Sequence, residues 1–554
     1  MKKASFWKSD WFFGVAVSIV VLILGNGDLL QSLERKAYDM GVAATSRVPS
    51  DKIAVIAIDK PSLDNIGRWP WSREIMADMV DKLAAAKAKV IATTVFYSEP
   101  QRDQGLAYIN KLIETCGVTL PSVVAVAAMP AATPAPTAAP VAGEPAAPAA
   151  PAPEPVIVPS SCPQIESILI EADKKLNTDR RLADAFAKAG NVALPMLFVL
   201  GEPRGRPDKD LPDYVKKNAV KLSAADEAPP YPTLGVDAGV IEPLGKVVTA
   251  IGHLNVTADV DGAIRTEPLV LTYFDQAYPS LSLLVAAKSH NLTPADIRVV
   301  AGSSVKLGKL NIGTDIDTRM LTFYYKDRED GNPAFQIDSF FDVKSGKIPY
   351  EKYRDKIVLI GPTSSSVGSV FVTPISPSMP AVLMQAHAVS SLLSEHFFVA
   401  PTWGFWVEKL VFLLIAAYLI ALLPRIKAGL AAGITVALLV TLIVIHFVLM
   451  STQLMWLKLM IPAALLLVGH LLLTVKRFVV TERGKEKSDA DSAESNRMLG
   501  LAFQGQGQLD MAFDKFRKCP LDDQLMENLY NLGLDFERKR QFNKAESVFR
   551  HMVE

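Results

Sequence analysis

The sequence predicts a multi-domain membrane protein: an α/β extracytoplasmic domain with a mixed sheet, an α-helical four-span bundle and an all-α C-terminal segment. Three observations carry this. Between Gly404 and Lys476 lie three apolar runs, Phe405–Leu423, Ala428–Met450 and Leu454–Val475, each about as long as the ~20 residues a helix needs to cross hydrocarbon. Ahead of them, strand and helix patterns alternate. Behind them, a set of residue types recurs at a constant offset of 33.

Composition narrows the function classes. The 554 residues include 58 basic and 58 acidic ones, so no net charge points to nucleic acid. Three cysteines (Cys116, Cys162, Cys519) make neither a disulfide scaffold nor a four-ligand metal site. Seven scattered histidines come with no His-Glu-x-x-His and no Gly-x-Ser-x-Gly, so a hydrolase is not indicated and no cofactor is expected.

In chain order, residues 1–30 read as a membrane anchor. Lys2, Lys3 and Lys8 precede an apolar run from Trp11 to Leu24, and no small-x-small cleavage site follows. Counting from Phe6 to about Gly27 gives a spanning length, so an uncleaved signal anchor is expected. A cleaved signal would leave three spans with the same sidedness. Positive charge sits at the N-terminus, at Arg425 and Lys427, and after the last run at Lys476, Arg477, Arg483, Lys485 and Lys487. The loop Ser451–Gln453 has none. The positive-inside rule then places residues 31–402 outside and the C-terminus in the cytoplasm. The expected setting is a bacterial inner membrane, with the outer domain periplasmic.

Within residues 31–402, a helix is expected over Leu29–Gly41 and a buried strand over Ile53–Ile58. A helix over Ser72–Ala88 and a strand over Lys89–Phe96 come next. Arg180–Ala189 (helix) and Asn191–Phe198 (strand) follow, then Lys356–Ile360 (strand) and Met384–Glu395 (helix). Strand–helix–strand order argues for parallel pairing with right-handed crossovers. Val247–Val256 and Ala263–Tyr273, flanking Asp259-Val-Asp-Gly262, read as a hairpin. The spacing of Asp259 and Asp261 is too short for a calcium loop, so they read as turn residues. Set into this domain, at about 119–163, is an insertion with twelve prolines between Pro121 and Pro163. It cannot bury enough apolar surface to offset ordering and should be disordered or extended. Cys116 and Cys162 bracket most of it in a disulfide-permissive compartment and are expected to pair. Cys519 is expected to be reduced.

Residues 403–476 are the three spans, in which Gly429 and Gly433 have the spacing for close helix contact. Residues 477–492 form a basic linker. In 493–554, Leu499-Gly500, Phe503, Ala512 and Phe516 recur as Leu532-Gly533, Phe536, Ala545 and Phe549. Small residues let helices approach and the aromatics fill the gap. This order resembles tetratricopeptide (TPR) repeats, each a pair of antiparallel helices, with one residue fewer than the usual period. The chain stops at Glu554 inside the second repeat. Either a further segment follows or the repeats pack on a partner.

The outer domain resembles the CHASE domain of the second type, an extracytoplasmic sensory domain of bacterial receptors. The matching stretches are Ile53-Ala-Val-Ile-Ala-Ile-Asp59, Gly67-Arg-Trp-Pro-Trp-Ser-Arg73, Phe96-Tyr-Ser-Glu-Pro100 and Gly252-His-Leu-Asn255. Others are Asp259-Val-Asp-Gly-Ala-Ile-Arg265, Tyr278-Pro-Ser-Leu281, Ile360-Gly-Pro-Thr363 and Gln385-Ala-His387. The resemblance covers roughly residues 30 to 400 and includes the layout of one helix before the sensor and three after it. It implies a cytoplasmic output, and receptors with TPR repeats ahead of a serine/threonine kinase resemble the chain best. No kinase motif lies within it, so any kinase would lie beyond residue 554. Two departures stand out: the acid usual near Thr93-Thr94 is missing, and Thr363–Ser369 has no acid.

Asp59 ends the first strand, at the sheet edge where ligands bind. With Trp69, Trp71 and Arg73 it is the candidate ligand site. The alternative is structural, with the tryptophans capping the sheet and Asp59 pairing with Arg73. No metal ligands are expected. The expected function is a transmembrane receptor that senses an extracytoplasmic stimulus. The expected partners are the lipid bilayer, an extracytoplasmic ligand, a second copy of the chain in a homodimer, and a protein or output domain on the repeats. The alternative is a membrane-anchored TPR scaffold without enzymatic output.

Overall fold

A computed structural model of the chain describes residues 9–25, 27–101, 103–118, 120, 162–203, 205, 210–222, 231–300, 302–328 and 331–553. The proline-rich insertion and the N-terminal lysines lie almost wholly outside them. The chain divides into two compact units.

The larger unit comprises Gly25–Val411 and Thr441–Ile461. After an N-terminal helix α1 (Asp10–Leu24), its longer helices ahead of Gly404 are α2 (Asp28–Ala44), α3 (Lys60–Ile66), α4 (Arg73–Ala85), α5 (Gln104–Cys116), α6 (Glu166–Leu176), α7 (Thr178–Ala189), α8 (Leu281–Ser289) and α9 (Ala381–Leu393). Its main sheet is built from β1 (Ile53–Ile58), β2 (Val90–Thr93), β3 (Val192–Leu200), β4 (Thr233–Ala238) and β5 (Ala250–His253). Two further strands, outside this sheet, are β6 (Thr266–Pro268) and β7 (Arg319–Thr322). β8 (Gln336–Ser339) and β9 (Ile357–Pro362) complete the main sheet. Its order is β8-β1-β9-β2-β3, and β3 then has two partners. Its first half pairs parallel with β5, its second half antiparallel with β4. Every other pairing is parallel.

The apolar sequence of the central strands follows from burial on both faces. In β1, Ile53 and Val55 join a core with α8 and α9, whereas Ala54, Ile56 and Ile58 join a second core with α4 and α7. The result is a three-layer α/β/α sandwich. α8 is capped by Ser280, whose hydroxyl accepts from the Leu283 N–H at 3.2 Å. It lies so close to β5 that a Cβ on Gly252 would sit 2.7 Å from the Leu281 backbone. Cys116 and Cys162 form a disulfide with Cα atoms 5.2 Å apart, at the end of α5 and ahead of α6.

The hairpin expected around residues 259–262 is not formed. β5 is taken up by β3, and β6 pairs with β7. The turn survives, closed by the Gly262 N–H donating to the Asp259 carbonyl at 2.8 Å, with Gly262 at φ +80° and an isolated antiparallel bridge between Thr257 and Thr266 beside it. Long-range pairing has overridden the local signal.

Candidate membrane helices come next. α10 (Gly404–Ala417) continues through a π-helical turn to Arg425, and α11 (Ala428–Gln453) and α12 (Met460–Gly505) follow. Among the described residues these three are long and apolar enough to span. The count becomes four if α1 (Asp10–Leu24) and α2 form one bent span. The third begins six residues later than expected. Leu454 has φ +51°, the Leu454 carbonyl accepts from the Val399 N–H at 2.8 Å, and Trp456 packs its ring on Tyr38 at 5.0 Å. The backbone of this stretch is thus held by the outer domain instead of a helix ladder. Gly429 and Gly433 have no neighbour within 4 Å of an added Cβ, so the expected close contact is not made among the described residues.

The smaller unit, Met1–Leu24, Phe412–Val440 and Pro462–Glu554, holds the C-terminal helices. α12 runs unbroken past Lys476, through the stretch read as a linker, to Gly505. α13 (Leu509–Phe516), α14 (Asp523–Arg538) and α15 (Phe542–Val553) follow. Ala512, Phe516, Phe536 and Ala545 are buried in one cluster, against which Phe503 and Phe549 pack. An added Cβ on Gly500 would meet the Phe516 ring at 2.5 Å, and one on Gly533 the Phe549 ring at 2.4 Å.

These contacts predict opposite outcomes for two glycine-to-alanine changes. Gly252→Ala forces backbone apart and should destabilise the outer domain by about 1–3 kcal/mol. Gly484→Ala, in open helical surroundings, should be neutral or stabilising by up to about 1 kcal/mol. Thermal unfolding of the detergent-solubilised chain, followed by tryptophan fluorescence, checks both.

Candidate functional site

A cavity of about 510 Å³ lies beyond the carboxyl ends of β9, β2, β3 and β5. This is where open α/β sheets bind ligands, and its size falls within the ~300–1,000 Å³ typical of small-molecule sites. Thr94 and Phe96 reach it from the end of β2, Phe198 from β3, and Asn255 from the chain after β5. α9 contributes one helical face: Ala381, Met384, Gln385 and Ala388. Those positions differ by three or four residues and therefore stack on one side. Trp69 covers the cavity from the loop between α3 and α4, and Ile264, Thr266 and Glu267 form a further wall.

Local chemistry fixes these walls. Asn255 accepts from the Phe198 N–H at 2.9 Å and donates to the Phe198 carbonyl at 2.6 Å. This amide clamp sits where β3 exchanges β5 for β4. Gly361, on β9, has no room for a side chain: an added Cβ would stand 2.1 Å from the Thr94 hydroxyl and 2.9 Å from Val382. Its absence lets α9 close onto the strand ends.

Polar groups converge on an apolar lining. The Thr94 hydroxyl and the Gln385 side-chain nitrogen are both buried and make no hydrogen bond among the described residues. Both residues line the cavity. Glu267 accepts from the Ser282 hydroxyl, and burial pushes its carboxyl up to about 7. His253, behind this wall on β5, is held neutral by burial, its pKa lowered to about 3.

The predicted site residues are distributed differently. Asp59 lies at the expected strand end, but its carboxylate caps α3, accepting from the Ser62 N–H at 3.0 Å and the Ser339 hydroxyl at 2.9 Å. It does not pair with Arg73 and does not line the cavity. Trp69 does line it. Trp71 donates its indole N–H to the Gly67 carbonyl at 2.8 Å and packs on Phe340. Arg73 pairs with Asp179 at 2.9 Å, donates to the Glu99 carbonyl and lies over the Tyr97 ring. Trp69, Trp71 and Arg73 together border a second, shallower hollow of about 290 Å³. Sequence reasoning did not single out Glu267. It had Gln385 and Thr94 only as positions in the resemblance.

One ion cluster ties the cavity wall to α2. Arg265, 4% exposed, meets Asp39 of α2 at 2.7 Å, Asp259 at 2.6 Å and Asp261 at 2.8 Å. Asp259 and Asp261 are thus arginine ligands at a turn. Arg265 holds the Asp261 carboxyl down at about 2, below its ordinary value of 3.8. A folded-state value below the unfolded one gives stability that is present above pH ~4 and lost as pH falls towards ~2. Arg265→Met should therefore destabilise at pH 7 by about 1–3 kcal/mol, the cost of leaving charged partners unpaired. Its deficit against wild type should narrow as pH falls from about 5 to about 2, which thermal melts across that range would read.

The CHASE2 domain family matches residues 15–423. No curated protein and no solved structure matches the chain. A CHASE2 domain is an extracellular sensory domain, and apolar helices able to span a membrane accompany it here. With the match taking in well over half of its residues, the protein belongs to the CHASE2-domain family.

Proposed function

We propose that the chain is a transmembrane receptor whose stimulus binds in the cavity at the carboxyl edge of the outer sheet. The single observation that supports this most is the cavity's wall. Thr266 and Glu267 border it, and the preceding residue, Arg265, grips α2 through Asp39. A ligand that prefers one arrangement of that wall also biases α2, the helix that follows the N-terminal apolar run. Such a bias requires different affinities for two states.

In this reading the outer domain is periplasmic, the bundle has four spans in a bacterial inner membrane, and the C-terminus is cytoplasmic. Arg425, Lys427 and the basic residues from Lys476 onward support that sidedness. Residues 493–554 act as TPR repeats carrying the change to an output or a bound protein, with a serine/threonine kinase beyond residue 554 as one such output. The Gly500–Phe516 and Gly533–Phe549 contacts, at one offset, support the repeat assignment. Homodimerisation belongs to the same proposal.

Filling the cavity tests it. Ala388→Trp and, independently, Met384→Trp place bulk in the lining. Hydrogen exchange of the full chain in lipid nanodiscs should then change in α2 and in residues 493–553. A change confined to the outer domain in both folded variants overturns the receptor and favours a scaffold.

A further inference from the structure

The chemistry of the cavity lining narrows what it binds. Among the described residues that line it there is no lysine, arginine or histidine. Its two ionisable acids are Glu267 and Asp237. An anion placed here would lose its water with no cation to replace it, which is expensive. A cation would find the opposite. Glu267 sits on the wall, braced by the Ser282 hydroxyl. Ser282 is fully buried on α8, so the carboxyl is fixed in place by the helix next to the sheet.

The apolar part of the lining is rich in aromatic rings. Trp69, Phe96, Phe198, Tyr324 and Phe371 all border the cavity. Aromatic faces attract ammonium groups, more strongly when water is excluded. The same faces accept an apolar or aromatic body. Two uncommitted polar groups complete the set. Among the described residues, the Gln385 side-chain nitrogen has no acceptor and the Thr94 hydroxyl makes no hydrogen bond. The two residues are 5% and 8% exposed. Buried polar groups in native proteins are ordinarily satisfied, so both point to a ligand oxygen. The remaining polar side chain of note, Asn255, is committed to Phe198.

We infer that the cavity binds a small amine, cationic at neutral pH, with an aromatic or apolar body and a hydrogen-bond acceptor, its ammonium against Glu267 and its acceptor against Gln385 and Thr94. The high affinity of the Glu267 carboxyl for its proton agrees with this. Burial raises it towards neutrality, and a ligand ammonium would offset the same cost. The inference rests on the cavity being the receptor's input, but its test reads binding alone.

The test uses three probes of one skeleton on the full chain in detergent: 3-phenylpropylamine, 3-phenylpropanol and 3-phenylpropanoate. Saturation-transfer NMR ranks them, with titration to obtain Kd. The amine should bind at least about tenfold more tightly than the alcohol, the size of one charge-assisted hydrogen bond, and the carboxylate should not bind. Glu267→Gln should weaken the amine about tenfold or more and bring it level with the alcohol. Phe96→Ala, on the cavity's more exposed side, should weaken amine and alcohol together. A methoxy group added to the amine as acceptor should tighten binding to wild type and not to Gln385→Leu. Carboxylate binding as tight as the amine, or amine binding unchanged in Glu267→Gln and Phe96→Ala alike, overturns the proposal. Amine binding without any change in exchange at residues 493–553 leaves this site standing and removes the receptor reading.

Discussion

The guanidinium of Arg265 is the constraint on which the outer domain depends. A buried charge is tolerated only when its partners nearly surround it, and three carboxylates from two separate parts of the chain do so here. Two of them come from the turn at residues 259–262, the third from α2. Removing water from one arginine therefore fixes the position of a helix, a turn and a strand at once. The strand is β6, whose Thr266 and Glu267 face the cavity. The geometry of the wall and the placement of α2 are in this sense a single electrostatic decision.

The sheet provides the other half of the site. Parallel strands end at one edge, and the loops leaving them must diverge there to reach opposite faces. That divergence opens the cavity. Gly361 and Asn255 control how far it opens. The glycine brings α9 down onto β9, and the amide clamp draws the chain after β5 against β3. α9 then leads through Phe398, which packs on Tyr38 of α2 at a ring separation of 5.4 Å, to Val399, which pairs with Met455. Two walls of the cavity thus lead to one aromatic cluster around Tyr38, Phe398 and Trp456.

Much of this was legible in the sequence. Ile53–Ile58, and Ile357–Ile360 within the expected strand Lys356–Ile360, are uninterrupted apolar runs because both sheet faces are covered, and they became β1 and β9. The helix around residues 73–85 followed from the spacing of its apolar residues, and the one around 178–189 was also expected. What was not legible depends on partners distant in sequence. The apolar segments on either side of Gly262 satisfy the hairpin pattern, and only strands at residues 192–200 and 319–322, which pair with them, decide otherwise. Glu267 resembles any strand glutamate until β6 is placed beside α8. Asp59 was assigned to the correct edge, but the sequence Asp-Lys-Pro-Ser is also a helix N-cap signal, and the cap takes the carboxylate. Arg73 lost its expected partner to Asp179, which lies beyond the proline-rich insertion and so is invisible to local reasoning.

The two hollows beside Trp69 show why a cation in the lining matters more than proximity to the sheet edge. Around the smaller one, Arg73 is neutralised by Asp179 and its remaining donors are drawn to the Glu99 carbonyl. Its charge is spent on joining α4 to α7, which makes the hollow a by-product of packing. Around the larger one the balance is reversed. Arg265, next to Thr266 in the chain, is committed to three carboxylates and is not among the described lining residues. Among the described residues Glu267 has hydroxyl hydrogen-bond partners and the Gln385 donor has no acceptor. A core evolved for stability alone would have filled these positions with apolar side chains or matched them with one another, since either is cheaper than an uncommitted polar group. The same two residues sit on the two walls, β6 and α9, that lead to the Tyr38 cluster, so a molecule bound to them would bear on both walls.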